Sequence, residues 1–193
     1  MLDIERFDVP GADIALHHHA IKDADRLFDE LLAETPWQQQ EIIVFNRKMP
    51  MPRLTCWMGE AAYTYSNLRN EPGPWTAPVI EIRDQMTALT GQEFNGVLLN
   101  LYRDGQDSMG WHADDEASLG REPLIPSVNL GATRRMRFKP RKNGPGAAFG
   151  FDLPHSSVLM MSGQTQENWL HTITKTAKPV GPRINLTFRT VSA

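Results

Sequence analysis

The sequence predicts a mainly β fold with flanking helices, an α+β arrangement whose short strands close into a sandwich or barrel such as a jelly roll. Three observations carry that expectation. From Gly96 onward, short apolar runs alternate with turn residues. Only two segments show a clear helical period. The 193 residues contain no repeat, linker or low-complexity tract, and that length suits one domain.

Taken in order, Asp23 is placed to cap a first helix in which Leu27, Phe28, Leu31 and Leu32 share one face, ending before Pro36. Residues 42–45 and 53–58 read as strands. A second helix is clearer: Pro78 suits a first turn, the apolar residues Val79, Ile82, Met86 and Leu89 repeat at helical spacing, and Gly91 can terminate it. Strands are then expected at 97–102, 127–130, 134–138, 147–153, 157–161, 170–174 and 183–190, with both helices outside the sheet. The run His17-His18-His19 has no acidic neighbour in sequence and reads as a polar turn, and His155 reads as a hairpin turn residue.

Composition narrows the function classes. A mean hydropathy of -0.41, with no apolar run near the ~20 residues a bilayer requires, points to a soluble protein without a membrane partner. The single cysteine, Cys56, cannot form an internal bridge, and the opening MLDIERFDVP lacks the basic-then-apolar order of a secretory signal, so a reducing, cytoplasmic location is expected. The net charge of -3 hides an asymmetry. Residues 1–120 carry 9 basic and 20 acidic side chains, and residues 121–193 carry 11 and 3. A basic second half suits phosphate binding, or simply a solvated face. Within it, residues 134–142 hold six basic side chains and no acid.

The most informative short motif is His112-Ala113-Asp114, preceded by Trp111 and followed by Asp115 and Glu116. On a strand or at its end, positions i and i+2 project to one side, so His112 and Asp114 can reach one ion. His171, in Trp169-Leu170-His171, offers a third ligand, and two imidazoles with one carboxylate make the facial triad that holds iron(II) with open positions. A surface ion pair or a hydrogen-bonded core histidine has the same local pattern. The ending Arg183-Ile184-Asn185-Leu186-Thr187-Phe188-Arg189 adds context. Alternation sends Arg183, Asn185, Thr187 and Arg189 to one face, which is either the solvated side of an edge strand or a buried dicarboxylate site, because guanidinium forks bind carboxylates bidentately. Asn100 and Tyr102, again i and i+2, can add hydrogen bonds from a neighbouring strand.

These pieces together resemble the AlkB-like iron(II)- and 2-oxoglutarate-dependent dioxygenases that demethylate nucleic acids. The matching segments run in family order from Pro52-Arg53-Leu54-Thr55-Cys56-Trp57 through Tyr63-Thr64-Tyr65-Ser66, Asn100-Leu101-Tyr102, Trp111-His112-Ala113-Asp114-Asp115-Glu116, Leu130-Gly131-Ala132-Thr133 and Trp169-Leu170-His171 to the Arg183–Arg189 segment. The likeness is strongest to the branch that includes the mammalian nucleic-acid demethylases.

The resemblance implies a double-stranded β-helix, a cupin-like jelly roll, forming a single dioxygenase domain over 1–193. Residues 1–76 would be an N-terminal elaboration with the substrate-recognition lid, and 96–191 the catalytic core. It implies iron(II) on His112, Asp114 and His171, with 2-oxoglutarate and O2 as cosubstrates. Arg183 would pair with the far carboxylate of 2-oxoglutarate, assisted by Tyr102; Asn100 and Arg189 would approach its metal-binding end, and Asn185 and Thr187 would support the pocket. Tyr63, Tyr65 and Ser66 would belong to the base-binding lid, Asp115 and Glu116 would read the exocyclic amino group of 1-methyladenine or 3-methylcytosine, and Arg53 would contact a phosphate or neighbouring base. Phe45 matches the position of a strand-invading finger, but Asn46 follows it where the duplex-acting relative has glycine. Single-stranded or locally opened DNA is therefore the favoured partner, with RNA as a second, and the protein is expected to act as a monomer. A 2-oxoglutarate oxygenase acting on a protein or small molecule, and a noncatalytic metal-binding jelly roll, are the alternatives.

Overall fold

The computed structural model describes residues 3–44, 47–65, 68–142 and 144–192; at 43, 44, 47, 63–65, 68 and 69 it describes the backbone alone. The chain opens with a hairpin of β1 (Asp3–Phe7) and β2 (Asp13–His18), followed by α1 (Ala24–Glu34). A second hairpin, β3 (Glu41–Val44) and β4 (Arg47–Pro50), leads to β5 (Leu54–Gly59), and a third pairs β6 (Tyr63–Tyr65) with β7 (Leu68–Asn70) before α2 (Ala77–Thr90). Then come β8 (Gly96–Tyr102), β9 (Met109–His112), β10 (Ile125–Gly131), β11 (Arg134–Pro140), β12 (Phe149–Leu153) and β13 (Ser157–Ser162). A short α3 (Thr165–Asn168) runs directly into β14 (Trp169–Ile173), and β15 (Arg183–Arg189) closes the fold.

Two of the sheets matter for function. A seven-stranded sheet has the order β1-β2-β13-β10-β15-β8-β5, and a four-stranded sheet has the order β12-β11-β14-β9. One core lies between them: Ile14, Leu98, Leu159 and Met161 of the large sheet pack with Met136, Phe138, Phe151 and Ile173 of the small one. A second core lies behind the large sheet, where Leu27 and Leu31 of α1 and Val79, Ile82 and Met86 of α2 meet Leu99, Leu101, Val128, Ile184, Leu186 and Phe188. This is the jelly roll that the sequence predicts, with both helices on one outer face. Among the described residues no helix is long and apolar enough to cross a bilayer.

Strand alternation explains how a polar site fits inside. β8 and β15 are paired along their whole lengths, Arg183 opposite Tyr102 and Asn185 opposite Asn100. Their odd-and-even division sends Leu99, Leu101, Ile184, Leu186 and Phe188 to the helices, so the polar members of both strands face the interior between the sheets. β15 sits between β10 and β8, and all seven of its residues are buried. The edge-strand reading of its polar face is thereby excluded.

Some local expectations are corrected. Asp23 occupies the N-cap position of α1, but its backbone is left-handed at φ 53 and its side chain makes no capping bond. His17 and His18 belong to β2 rather than to a turn; only His19, at φ 50, stands in the turn. Gly91 closes α2 at φ 73, as its position suggests. His155 does lie in the β12–β13 turn, where its Nδ1 accepts a hydrogen bond from the Gly131 N–H at 2.9 Å. Phe45, Asn46 and Ser66 lie outside the described residues.

Candidate active site

His112 is the last residue of β9, and His171 faces it directly across the β9–β14 pairing, with a register shift just beyond. Asp114 follows two residues later, outside regular structure, and turns back to the same point. The ligand atoms of His112, Asp114 and His171 all lie within 4.8 Å of one another, and the two imidazole rings stand 4.1 Å apart at 60°. His171 and Asp114 are buried; His112 is partly so. The Nδ1 of His112 is 2.9 Å from the Gly110 carbonyl. A carbonyl only accepts, so Nδ1 carries the proton and Nε2 holds the lone pair a metal needs.

The protonation states suit a divalent cation. Burial works to raise the Asp114 pKa, but the positive charge of Arg189, whose Nη2 donates to Oδ1 at 2.6 Å, together with the two histidines, holds it at about 2. Burial pushes His171 down to about 3, with His112 and Arg189 adding to the effect and Asp114 opposing it. Burial also lowers His112, against the pull of Asp114. Two neutral imidazoles and one ionised carboxylate are what iron(II) takes as a facial triad.

A second ligand is indicated on the same pocket, whose wall includes Asn100, Tyr102, Arg183, Asn185, Thr187 and Arg189. Arg183 is 1% exposed. Its Nη2 donates to Asn129 Oδ1 at 2.5 Å and its guanidinium lies over the Tyr102 ring at 4.9 Å, yet Nε and Nη1 are buried with no hydrogen-bond partner among the described residues. Unmet guanidinium donors in an enclosed site call for an anion, and a carboxylate is the natural match. Asn185 donates to Ser127 Oγ and the Val128 carbonyl, and Thr187 donates to Asn185 Oδ1, so this pair stiffens the floor of the pocket. Leu98, Met109, Met136, Met161 and Ile173 supply its apolar lining.

Two residues had escaped the sequence reading. Arg134 is 3% exposed and donates to the carbonyls of Asp104, Asp107 and Thr174, while its guanidinium also lies over Tyr102, at 5.7 Å. The signal was present: Arg134 shares alternation with Met136 and Phe138 and so had to point inward. Gln166 is 3% exposed, and its Oε1 accepts the backbone N–H of Asp114 at 2.9 Å. Nothing in Thr-Gln-Glu-Asn marks it as buried.

The expected substrate side is placed less completely. Asp115 is exposed and paired with Arg141. Glu116 is half-buried and precedes the 3-10 turn Ala117–Leu119. Arg53 is buried, with its Nε donating to Asn100 Oδ1 at 2.7 Å. Tyr63 and Tyr65 fall on β6, of which the backbone alone is described.

Residues 15–189 match the family model of the 2OG-Fe(II) oxygenase superfamily. The chain belongs to that superfamily. The chain is 43% identical over 179 residues to the bovine (Bos taurus) alpha-ketoglutarate-dependent dioxygenase alkB homolog 3, a match covering 89% of this chain and 63% of the relative. It is 37% identical over 180 residues to the human (Homo sapiens) DNA oxidative demethylase ALKBH2, covering 88% and 69%. Among solved structures it resembles OsALKBH1 with a TM-score of 0.63 at 16% identity, covering 97% of this chain and 100% of that one. The last likeness concerns the fold alone. The superfamily's cofactors, iron(II), 2-oxoglutarate and O2, fit the donor set and the unmet Arg183 nitrogens described above.

Proposed function

We propose that this chain is an iron(II)- and 2-oxoglutarate-dependent oxidative demethylase that repairs N-alkylated bases, 1-methyladenine and 3-methylcytosine, in DNA, with RNA as a second substrate, releasing the methyl carbon as formaldehyde. The observation that carries the reading is the meeting of the triad with Arg183 in one pocket, since a purely structural metal site has no use for a buried guanidinium with unmet donors. The relative named a DNA oxidative demethylase supports DNA as the substrate class and demethylation as the reaction.

In this reading His112, Asp114 and His171 hold iron. Bound with 2-oxoglutarate and O2, iron supplies the oxidation of the N-methyl group. The protein's residues do the positioning. Arg183 takes the far carboxylate against the Tyr102 ring, Asn100 and Arg189 serve the metal-binding end, and Asn185 and Thr187 hold the pocket wall. Arg189 has a further task, because its bond to Asp114 fixes which carboxylate oxygen faces the metal.

A base acted on here must leave its stack, so a platform and edge-reading groups are required. Tyr63, Tyr65, Ser66 and Arg53 belong to that recognition part, carried by the N-terminal 76 residues, whose β2 and β5 also extend the large sheet of the 96–191 catalytic core. Asp115 and Glu116 give the site mouth an acidic character that suits a base made cationic by methylation. Arg135, Arg137 and Lys139 alternate away from the core on β11, and Arg141 and Lys142 follow. They form the phosphate-binding strip, beside an exposed Trp111 whose ring lies 4.5 Å from the Lys139 ammonium. Single-stranded or locally opened strands are the preferred partner of a monomer working in a reducing, cytoplasmic compartment.

The test is mass spectrometry of a single-stranded oligonucleotide carrying one 1-methyladenine, incubated aerobically with the protein, iron(II) and 2-oxoglutarate. Loss of one methylene mass with the parent and none with His171→Ala is the expected result. Succinate accumulating while the oligonucleotide stays intact would move the substrate to a protein or small molecule. If iron-loaded protein yields neither product, a noncatalytic module remains.

A further inference from the structure

Of the three metal ligands, Asp114 has the least support from regular structure. His112 ends β9 and His171 lies within β14, each held by the strand ladder between them. Asp114 belongs to a stretch with no helix or strand, so its backbone needs another anchor. Its carboxylate is fixed by Arg189 and its N–H by the side-chain amide of Gln166.

Gln166 is itself firmly seated. Its Nε2 donates to Met161 Sδ at 3.5 Å. Its neighbour Thr165, fully buried, accepts the Asp13 N–H at 2.9 Å and donates to the Ser162 carbonyl at 2.6 Å. Two residues on, Asn168 Nδ2 donates to the Gly11 carbonyl, and Trp169 Nε1 donates to the Pro10 carbonyl. Residues 165–169 are thus tied to the approach to β2, and they continue into β14, which carries His171.

We infer that Gln166 is a positioning residue for the metal centre: through one hydrogen bond to the Asp114 backbone it sets the place of the carboxylate ligand relative to His171, five residues along the same segment. Two of three ligands are then registered by a single piece of chain, one directly and one through the amide. The amide is neutral, so it restrains the Asp114 backbone without competing for the metal or adding charge beside the carboxylate. This rests on the assignment of His112, Asp114 and His171 as metal ligands.

The test compares Gln166→Met, which keeps the length and removes the acceptor, with Gln166→Glu, which keeps an oxygen at the same reach. Binding of Mn(II) and of Co(II) to the full chain is titrated without nucleic acid, and the Co(II) ligand-field spectrum is recorded, well below the melting temperature of each variant. Gln166→Met is expected to lose about tenfold or more in metal affinity, the range seen when groups behind a ligand are removed, with an altered Co(II) spectrum. Gln166→Glu is expected to restore most of both. A Gln166→Met protein that melts earlier but binds both ions as the parent does, with the parent's spectrum, overturns the inference and leaves Gln166 a packing residue. A parent that binds neither ion overturns the triad and this inference together. Failure of the oligonucleotide assay alone, with metal binding intact, bears only on the substrate.

Discussion

Two adjacent carboxylates, Asp114 and Asp115, each meet an arginine, and the two pairs have different consequences. Asp114 and Arg189 are 3% and 2% exposed, 2.6 Å apart, inside the sandwich. Asp115 and Arg141 are 52% and 35% exposed, at the surface. Removing water makes the first pair strong and also makes it costly to disturb, whereas the second is screened by solvent and salt. One residue of displacement along the chain therefore separates a buried carboxylate facing His171 from an exposed one at the surface. The arginine that serves Asp114 comes from the central strand β15, and the one that serves Asp115 from the basic run after β11.

The comparison breaks most sharply at the metal. Asp114→Ala and His171→Ala should each reduce turnover to background and abolish tight Co(II) binding, while Asp115→Asn should retain the metal and change only substrate affinity; turnover in verified metal-free protein would contradict this. Next in size is stability. Arg189→Leu strands a buried carboxylate and should cost about 3–5 kcal/mol in urea unfolding of the metal-free protein, against about 1 kcal/mol or less for Arg141→Gln. Equal losses would remove the distinction between the pairs.

Acid titration sharpens the same contrast. In the folded, metal-free protein His171 is held neutral down to about pH 3, and the unfolded chain protonates it near its ordinary 6.5. The unfolded state thus binds more protons, so this contribution is complete above pH 6.5 and is lost as pH falls from there toward 3. Asp114, lowered to about 2 from 3.8, adds a loss of the same sign below pH 4. Denaturant unfolding from pH 7 to 4 should show stability falling, and a His171→Ala protein should show a shallower fall. The smallest effect belongs to the surface: Arg141→Glu with Lys142→Glu should weaken single-stranded oligonucleotide binding across all sequences and flatten its salt dependence by about 1.4 in slope, as for two lost phosphate contacts. Unchanged salt dependence would remove the strip from the binding path.

What the sequence disclosed followed the rules of period and register. The two-residue spacing of His112 and Asp114 and the alternation of Arg183 to Arg189 were legible as patterns, but their convergence and burial come from the pairing of β9 with β14 and of β15 with β10 and β8. Helix α2 was legible for the same reason, with its proline start and glycine stop. The hairpin β1–β2 was not, because Asp-Ile-Glu-Arg-Phe is an edge strand that buries almost nothing and carries no apolar alternation. β9 was missed since Gly110 and Trp111 are exposed and its pairing with β14 is irregular. Gln166 was invisible for a different reason: its side chain is held inward by a partner distant in sequence, the amide at 114, whereas alternation shows the inward direction of Arg134 and only its partners, the carbonyls at 104, 107 and 174, are remote. The apparent cap at Asp23 failed because its backbone turned left-handed, which composition does not reveal.

In the proposed function, one enclosed pocket takes a metal and a dicarboxylate together. Calorimetric titration of 2-oxoglutarate into Mn(II)-loaded protein, into metal-free protein and into Mn(II)-loaded Arg183→Met tests it most directly. Saturable one-to-one binding to the loaded parent is expected, with strong weakening on losing either the metal or the guanidinium. Binding of equal strength in all three samples would contradict it.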